Sequence, residues 1–291
     1  METIILENEY LRAELCTFGA ELRRLERIRD NVNVIWEMDE SIWPRTSPVP
    51  FPILGGWPED TYYIEGKPYR MQKNGFARDC EFSITAQTKD CCTLRLDANE
   101  NTLASYPFRF ALEITFSLEV STLRTSFAVY NLDQRPLLYG VAAHTAFYWP
   151  RMSEMPSYLN FIQEENAWGF HPDGTVVRLL EHQRQWMPKT NMFDFGAFST
   201  KDIQSPYVDW CPAEAEYVVR IHRGTFPYLT LWTWDREDAT FLCIEPSLSV
   251  GRFGLELKQR NGIQTLLPGA YQVHTISYEI LDKTLVYNSK K

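Results

Sequence analysis

The chain has no surplus of positive charge: 29 Lys and Arg stand against 38 Asp and Glu, for a net charge of −9. Nucleic acid and anionic membrane surfaces both call for a basic footprint, so neither is an expected partner. Long apolar runs are absent too, and none approaches the ~18–20 residues of a membrane span. The opening METIILENEY is acidic where a secretory leader would be basic, and its apolar run is short. Of six cysteines, Cys16, Cys80, Cys91, Cys92, Cys211 and Cys243, none forms a C-x-x-C pair. Cys91 and Cys92 would point to opposite faces of an extended segment. Reduced thiols in a cytoplasmic protein are the expectation. The five histidines show no metal-ligand spacing such as H-x-x-x-H. Internal repeats, low-complexity tracts and linker-like shifts in composition are also missing, which argues for one domain over residues 1–291.

What is present is strand pattern. Hydrophobic residues make up 44% of the chain and aromatics 14%, enough for a sizeable core. Leu112, Ile114, Phe116, Leu118 and Val120 alternate with Glu113, Thr115, Ser117 and Glu119. Leu123, Thr125, Phe127 and Val129 then alternate with Arg124, Ser126, Ala128 and Tyr130. Two period-two runs across a short break predict an antiparallel hairpin with one buried face. Tyr217-VVRIH, Tyr228-LTLWTW, Thr61-YYI and Thr275-ISYEI carry the same β-branched and aromatic signature. Residues 11–28 have some helical spacing, but Gly19-Ala20 and the Val/Ile-rich flanks favour strands with a bend. Residues 151–215 hold Pro156, Pro172, Pro188, Pro206 and Pro212 and read as long connections with short strands. The predicted class is all-β, a large antiparallel domain with few short helices.

Two titratable residues stand out in this background. His144 lies among small residues, Ala142, Ala143 and Ala146, which let a ligand approach closely; the plain alternative is a histidine held by a backbone hydrogen bond near a strand end. Glu245 sits in Ala239-TFLCIEPSLSV, an apolar run that should be buried. A carboxylate there is costly unless paired or hydrogen-bonded, and burial raises its pKa towards the range of a general base. Its plain alternative is a Glu at a strand end, with Pro246 ending the ladder. The remaining histidines, His171, His182, His222 and His274, read as structural. The segment Ile42-WPRTSPVPFPILGGWPEDTYY is too rich in proline for a helix; it reads as a rigid edge-closing loop or a stacking wall for a sugar. In Lys73-NGFARDCEF, Arg78 is able to clamp vicinal hydroxyls or a carboxylate, or to pair with Asp79 or Glu81.

Taken in order, these segments resemble the aldose 1-epimerase (galactose mutarotase) superfamily, in its LacX-like branch. The resemblance runs through Ile5-LENEYLRAELCTFGAEL with its "GAEL" turn, Trp43-PRTSPVPFPILGG, Asn74-GFARDCEF, Tyr106-PFRF, His144-TAF and Cys243-IEP. It implies a large antiparallel β-supersandwich with a sugar cleft on its concave face. It also implies interconversion of α and β anomers of a free aldose without a cofactor or metal. Glu245 would take the proton of the C1 hydroxyl, and His144 would protonate the ring oxygen. The pair is expected in one cleft, far enough apart to hold a sugar ring between them. Arg78 would support the substrate or Glu245, Asn74 would donate to the sugar, and Trp57 would stack on the ring.

The chain departs from the branch pattern at four points. Asn74 replaces the His of "H-G-F-A-R", Gly56 an arginine, and Thr145 the Pro of "H-P-A-F"; Gly196 stands near the place of an Asp in "F-x-x-D-A". These losses keep a second reading open, a non-catalytic carbohydrate-binding or sensing protein. A third reading, a lyase on the same scaffold, predicts extra Tyr or His in the cleft. A small-molecule sugar is the expected partner, and either a monomer or a homodimer is compatible with exposed sheet edges.

Overall fold

A computed structural model describes residues 1–236, 238–250 and 256–288. Strands dominate, and the regular helices are short: Glu100–Ser105, capped by Asn99, and Lys283–Asn288. The all-β expectation therefore holds. A four-stranded antiparallel sheet is built from Thr3–Glu7, Leu11–Cys16, Glu21–Arg27 and Val32–Asn33. Gly19 and Ala20 form the predicted bend, with φ of 77° and 47°. A Cβ at Gly19 would stand 2.6 Å from the Arg78 carbonyl oxygen, so only glycine fits there.

A 13-stranded sheet makes up most of the remainder. The predicted hairpin is Phe110–Glu119 against Thr122–Asn131, in continuous register from Glu119↔Thr122 to Phe110↔Asn131. Its alternate residues Leu112, Ile114, Phe116, Leu123, Phe127 and Val129 are buried. One apolar cluster runs from Ile4 to Ile280, so the small sheet and the large one share a core. No helix among the described residues is long and apolar enough to cross a membrane. All six thiols are free; Cys92 is buried while Cys91 is only half-buried, as opposite faces require.

The reading of 151–215 needs correction. This region contains the longest strand of the fold, Tyr158–Phe170, paired with Val176–Trp186. The hairpin projects with much of both faces in solvent, and its register slips near Asn160, Glu165 and Ala167. Neither the polar surface nor the slips leave a clean period-two signal.

Candidate active site

Strand register builds the floor of the cleft. Thr145–Tyr148 pairs antiparallel with Phe241–Ser247 through Thr145↔Ile244, and Ala142 bridges Ser247 in the same register. His144 must then lie directly opposite Glu245, with both side chains on one face. Two residues about a hundred positions apart in sequence thus become cross-strand neighbours, His144 Nε2 standing 3.3 Å from Glu245 Oε1. The rung continues through Thr230, opposite Glu245, then Ser199, opposite Thr230, then Phe170, opposite Ser199. Ser199 Oγ and Thr230 Oγ1 are 2.7 Å apart and hydrogen-bonded. All five residues line one cleft of about 900 Å³.

Two details of the sequence reading change here. His144 immediately precedes a strand rather than closing one, and Glu245 lies inside its strand rather than at the end. Pro246 is tolerated because the neighbouring strand begins only at Thr145. The Pro246 carbonyl still accepts from Ala143 N at 3.1 Å, and only the reciprocal bond to the Ala143 carbonyl, which a proline nitrogen cannot donate, is given up where the pairing ends. His144 and Glu245 are also in mutual contact, so no sugar ring fits between them. The wider spacing expected above would suit groups on opposite sides of a ring. The two oxygens of a hemiacetal share one carbon, a spacing that adjacent side chains are able to reach.

Both groups are deeply buried. Trp43 and Trp232 flank the His144 ring with centroids 5.6 and 5.9 Å away. Burial drives the His144 pKa down to about 3, with Arg78 and Lys73 pushing the same way. Burial also pushes the Glu245 carboxyl well above the ordinary carboxylate range, against an opposing pull from Lys73. Burial thus disfavours the charged form of each group. Glu245 Oε1 and His144 Nδ1 are buried without hydrogen-bond partners. Uncompensated buried polar atoms cost about 1–3 kcal/mol each. Folding stability alone does not explain keeping two of them side by side.

The expected binding residues all reach the cleft wall, with differing roles. Arg78 is half-buried in the short turn Ala77–Asp79; its Nε lies 3.5 Å from Asp79 and makes no hydrogen bond. Its guanidinium pKa is lowered by burial, with Asp79 opposing. Asn74 is buried at a φ of 67°, and its carboxamide oxygen accepts from Gly55 N at 2.6 Å. The Asn74 side chain therefore holds the Gly55 loop, and only its amide N–H₂ remains for a ligand. Trp57 does not serve as a stacking platform. Tyr62 stacks on its ring at 4.5 Å and the Arg260 guanidinium lies 4.3 Å from its centroid. Two groups so close to one centroid must cover opposite faces, leaving Trp57 only an edge for the cleft.

Several lining residues were not singled out from sequence: Trp43, Lys73, Trp232 and the Thr230–Ser199 pair. Trp43 and Lys73 lie inside the segments quoted above, but nothing in composition separates them from their neighbours. At the position of the missing arginine, a Cβ on Gly56 would sit 3.5 Å from Lys73, so the Lys73 backbone and stem border that space. Thr145 points away from the cleft; its hydroxyl lies 2.6 Å from Ser47 Oγ and 2.8 Å from the Tyr278 hydroxyl, pinning the chain beside His144. Gly196 lines the mouth at a φ of 85°, between Phe195 and Ala197. Among the described residues the cleft lining has one histidine and no tyrosine, which removes the support that the lyase reading needs.

His144 and Glu245 thus form a cross-strand pair at the foot of an aromatic cleft on a large antiparallel sheet. The family model described as aldose 1-epimerase matches residues 2–279, and the chain belongs to that family. The chromosomal protein LacX of Lactococcus lactis subsp. lactis is 26% identical over 262 residues, covering 84% of this chain and 87% of its own. A galactose mutarotase-like protein from Lactobacillus casei superposes with a TM-score of 0.90 at 23% identity, over 96% of this chain and all of its own. A galactose mutarotase related enzyme from Lactobacillus acidophilus gives 0.88 at 23% identity, over 96% and 97% of the two chains. At these identities the structural likeness speaks for the fold, which is the galactose mutarotase-like one.

Proposed function

We propose that the protein is an aldose 1-epimerase, interconverting the α and β anomers of a free sugar by opening and reclosing its hemiacetal. One observation carries this reading: His144 and Glu245 face each other at 3.3 Å, both buried, with Glu245 Oε1 lacking a hydrogen-bond partner, at the foot of a sugar-sized cleft. One member removes the proton of the C1 hydroxyl while the other protonates the ring oxygen. The bond between C1 and the ring oxygen breaks, the C1–C2 bond rotates, and the aldehyde recloses from its other face with the proton transfers reversed. Written with Glu245 as base and His144 as acid, the step begins from the ion-pair form of the couple. With the proton on Glu245 instead, the same step runs with the roles exchanged. Either way the pair gains and loses no net proton over a cycle. Proton transfer by two positioned groups, at about 10²–10⁴-fold each, is ample for so labile a bond.

Arg78, Lys73 and the free amide of Asn74 supply donors to sugar hydroxyls, and Trp43 and Trp232 supply apolar walls. The single-domain reading of residues 1–291 belongs to this proposal and is supported by the core that the sheets share. The competing reading, a protein that binds sugar without turning it over, draws on Asn74, whose side chain is committed to the Gly55 loop. Two-dimensional NMR exchange on a panel of free aldoses separates the two. An epimerase accelerates exchange between anomer signals and a pure binder only broadens them. Exchange no faster than the uncatalysed rate on every sugar would refute the enzyme reading.

A further inference from the structure

Cys243 stands two residues before Glu245 on the same strand, so both side chains project from one face. Its register partners are Ala146 and Trp232, the next rung along from His144–Glu245–Thr230. A ring nitrogen of His144, the Cys243 sulfur and a Glu245 carboxylate oxygen lie within 4.8 Å of one another, all three residues buried. A tetrahedral ion with bonds of about 2.0–2.3 Å needs donor–donor edges of about 3.3–3.8 Å. The 3.3 Å separation of His144 Nε2 and Glu245 Oε1 already has that length. The sulfur has to close by at most about 1 Å.

We propose that His144, Cys243 and Glu245 form a binding site for a thiophilic divalent cation of the zinc class, whose arrival silences the proton-transfer pair. The donor set has the right softness: thiolate with imidazole and carboxylate suits zinc, and the sulfur disfavours magnesium and calcium. Charge balance also fits burial. The thiol and the carboxyl each release a proton to solvent, and thiolate, carboxylate, neutral imidazole and a divalent ion sum to zero. A neutral complex avoids the penalty of an isolated buried charge. Glu245 Oε1 has no other hydrogen-bond partner to give up. Three protein ligands leave a fourth position on the cleft side, because His144 and Glu245 line the cleft while Cys243 packs behind them against Trp36, Trp43 and Phe241. Binding of the ion does not depend on the proposed activity; only the silencing half rests on it.

The test titrates the metal-free full-length protein with Co²⁺, whose tetrahedral thiolate complexes absorb in the near ultraviolet and visible. The expected result is one equivalent bound, with a sulfur-to-cobalt band that Zn²⁺ displaces. Cys243→Ala removes the band and weakens binding at least about tenfold, and Glu245→Gln weakens it comparably. Cys243→Ser, which preserves the side-chain volume, and a circular-dichroism spectrum of each variant guard against loss through misfolding. A band that survives Cys243→Ala in a folded protein belongs to another thiol and overturns the site, as does the absence of any band in wild type. Stoichiometric Zn²⁺ is then expected to stop anomer exchange and a chelator to restore it. Cysteine-dependent Co²⁺ binding without anomer exchange on any sugar upholds the site and refutes the epimerase. Anomer exchange indifferent to Zn²⁺ refutes the silencing and leaves the epimerase standing.

Discussion

Glu21 and Glu245 are both buried carboxylates, and they are handled in opposite ways. Glu21, in the small sheet, accepts from Thr46 N at 2.6 Å and from Ser47 N and Thr46 Oγ1 at 3.1 Å. Arg23 and Arg45 add ion pairs at 3.1 and 3.4 Å. Its lone pairs are satisfied and its charge is answered, so Glu21 is a structural pin. Glu165 follows the same pattern, accepting from Gln204 N, Ser205 N and Ser205 Oγ. Among the described residues Glu245 Oε1 has no hydrogen-bond partner, and burial lowers the pKa of the histidine beside it to about 3. A carboxylate furnished with donors holds a fold together, whereas one denied them is held ready for a ligand.

Exchanging each carboxylate for its amide sharpens this contrast most. Glu245→Gln is expected to slow anomer exchange by about 10²–10⁴-fold while leaving the melting temperature unchanged or raised, since a neutral group replaces an uncompensated one. Glu21→Gln should reverse the pattern. It leaves Arg23 and Arg45 short of a partner and costs about 3 kcal/mol by denaturant titration, with little effect on turnover per folded molecule. Comparable stability losses for the two variants would erase the distinction.

The aromatic residues extend the comparison. Trp57→Ala, with both ring faces packed, is expected to cost about 3–5 kcal/mol of stability. Trp232→Ala, at the His144 wall, should instead weaken sugar binding by about tenfold, read as a rise in KM. Asn74→Ala removes the bond to Gly55 in a left-handed position and should cost about 1–3 kcal/mol, with a smaller loss of activity. The smallest effect concerns acid. His274 is buried against the Tyr139 hydroxyl at 2.8 Å and Thr225 at 3.2 Å, and burial lowers its pKa from 6.5 to about 4. The unfolded chain takes up that proton first, so the contribution of His274 is intact above pH 6.5 and is lost as pH falls towards 4. His274→Gln should flatten the stability–pH curve in that window.

How far the sequence could be read follows from the range of each interaction. The Phe110–Asn131 hairpin was legible because its pattern and its partner are adjacent. Glu245 was legible because an acidic residue in Phe241-LCIEP breaks an apolar run. The contact between His144 and Glu245 was not, since it depends on the pairing of strands about a hundred residues apart, and the expected spacing was too wide. Trp57 looked like a platform because Arg260, which covers one of its faces, lies some two hundred positions away. Asn74 read as a sugar donor because nothing local reveals that its positive φ and its oxygen belong to the Gly55 turn. The Tyr158–Trp186 hairpin escaped because solvent-facing strands have no apolar stripe to display.

On the proposed function, the missing hydrogen-bond partner of Glu245 Oε1 serves catalysis. This is tested most directly by NMR exchange between anomers of a free aldose, run with wild type and Glu245→Gln at equal concentrations of folded protein. Fast exchange is expected for wild type, and a rate lower by at least about a hundredfold for the variant. Wild-type-like exchange in a folded Glu245→Gln protein would contradict it.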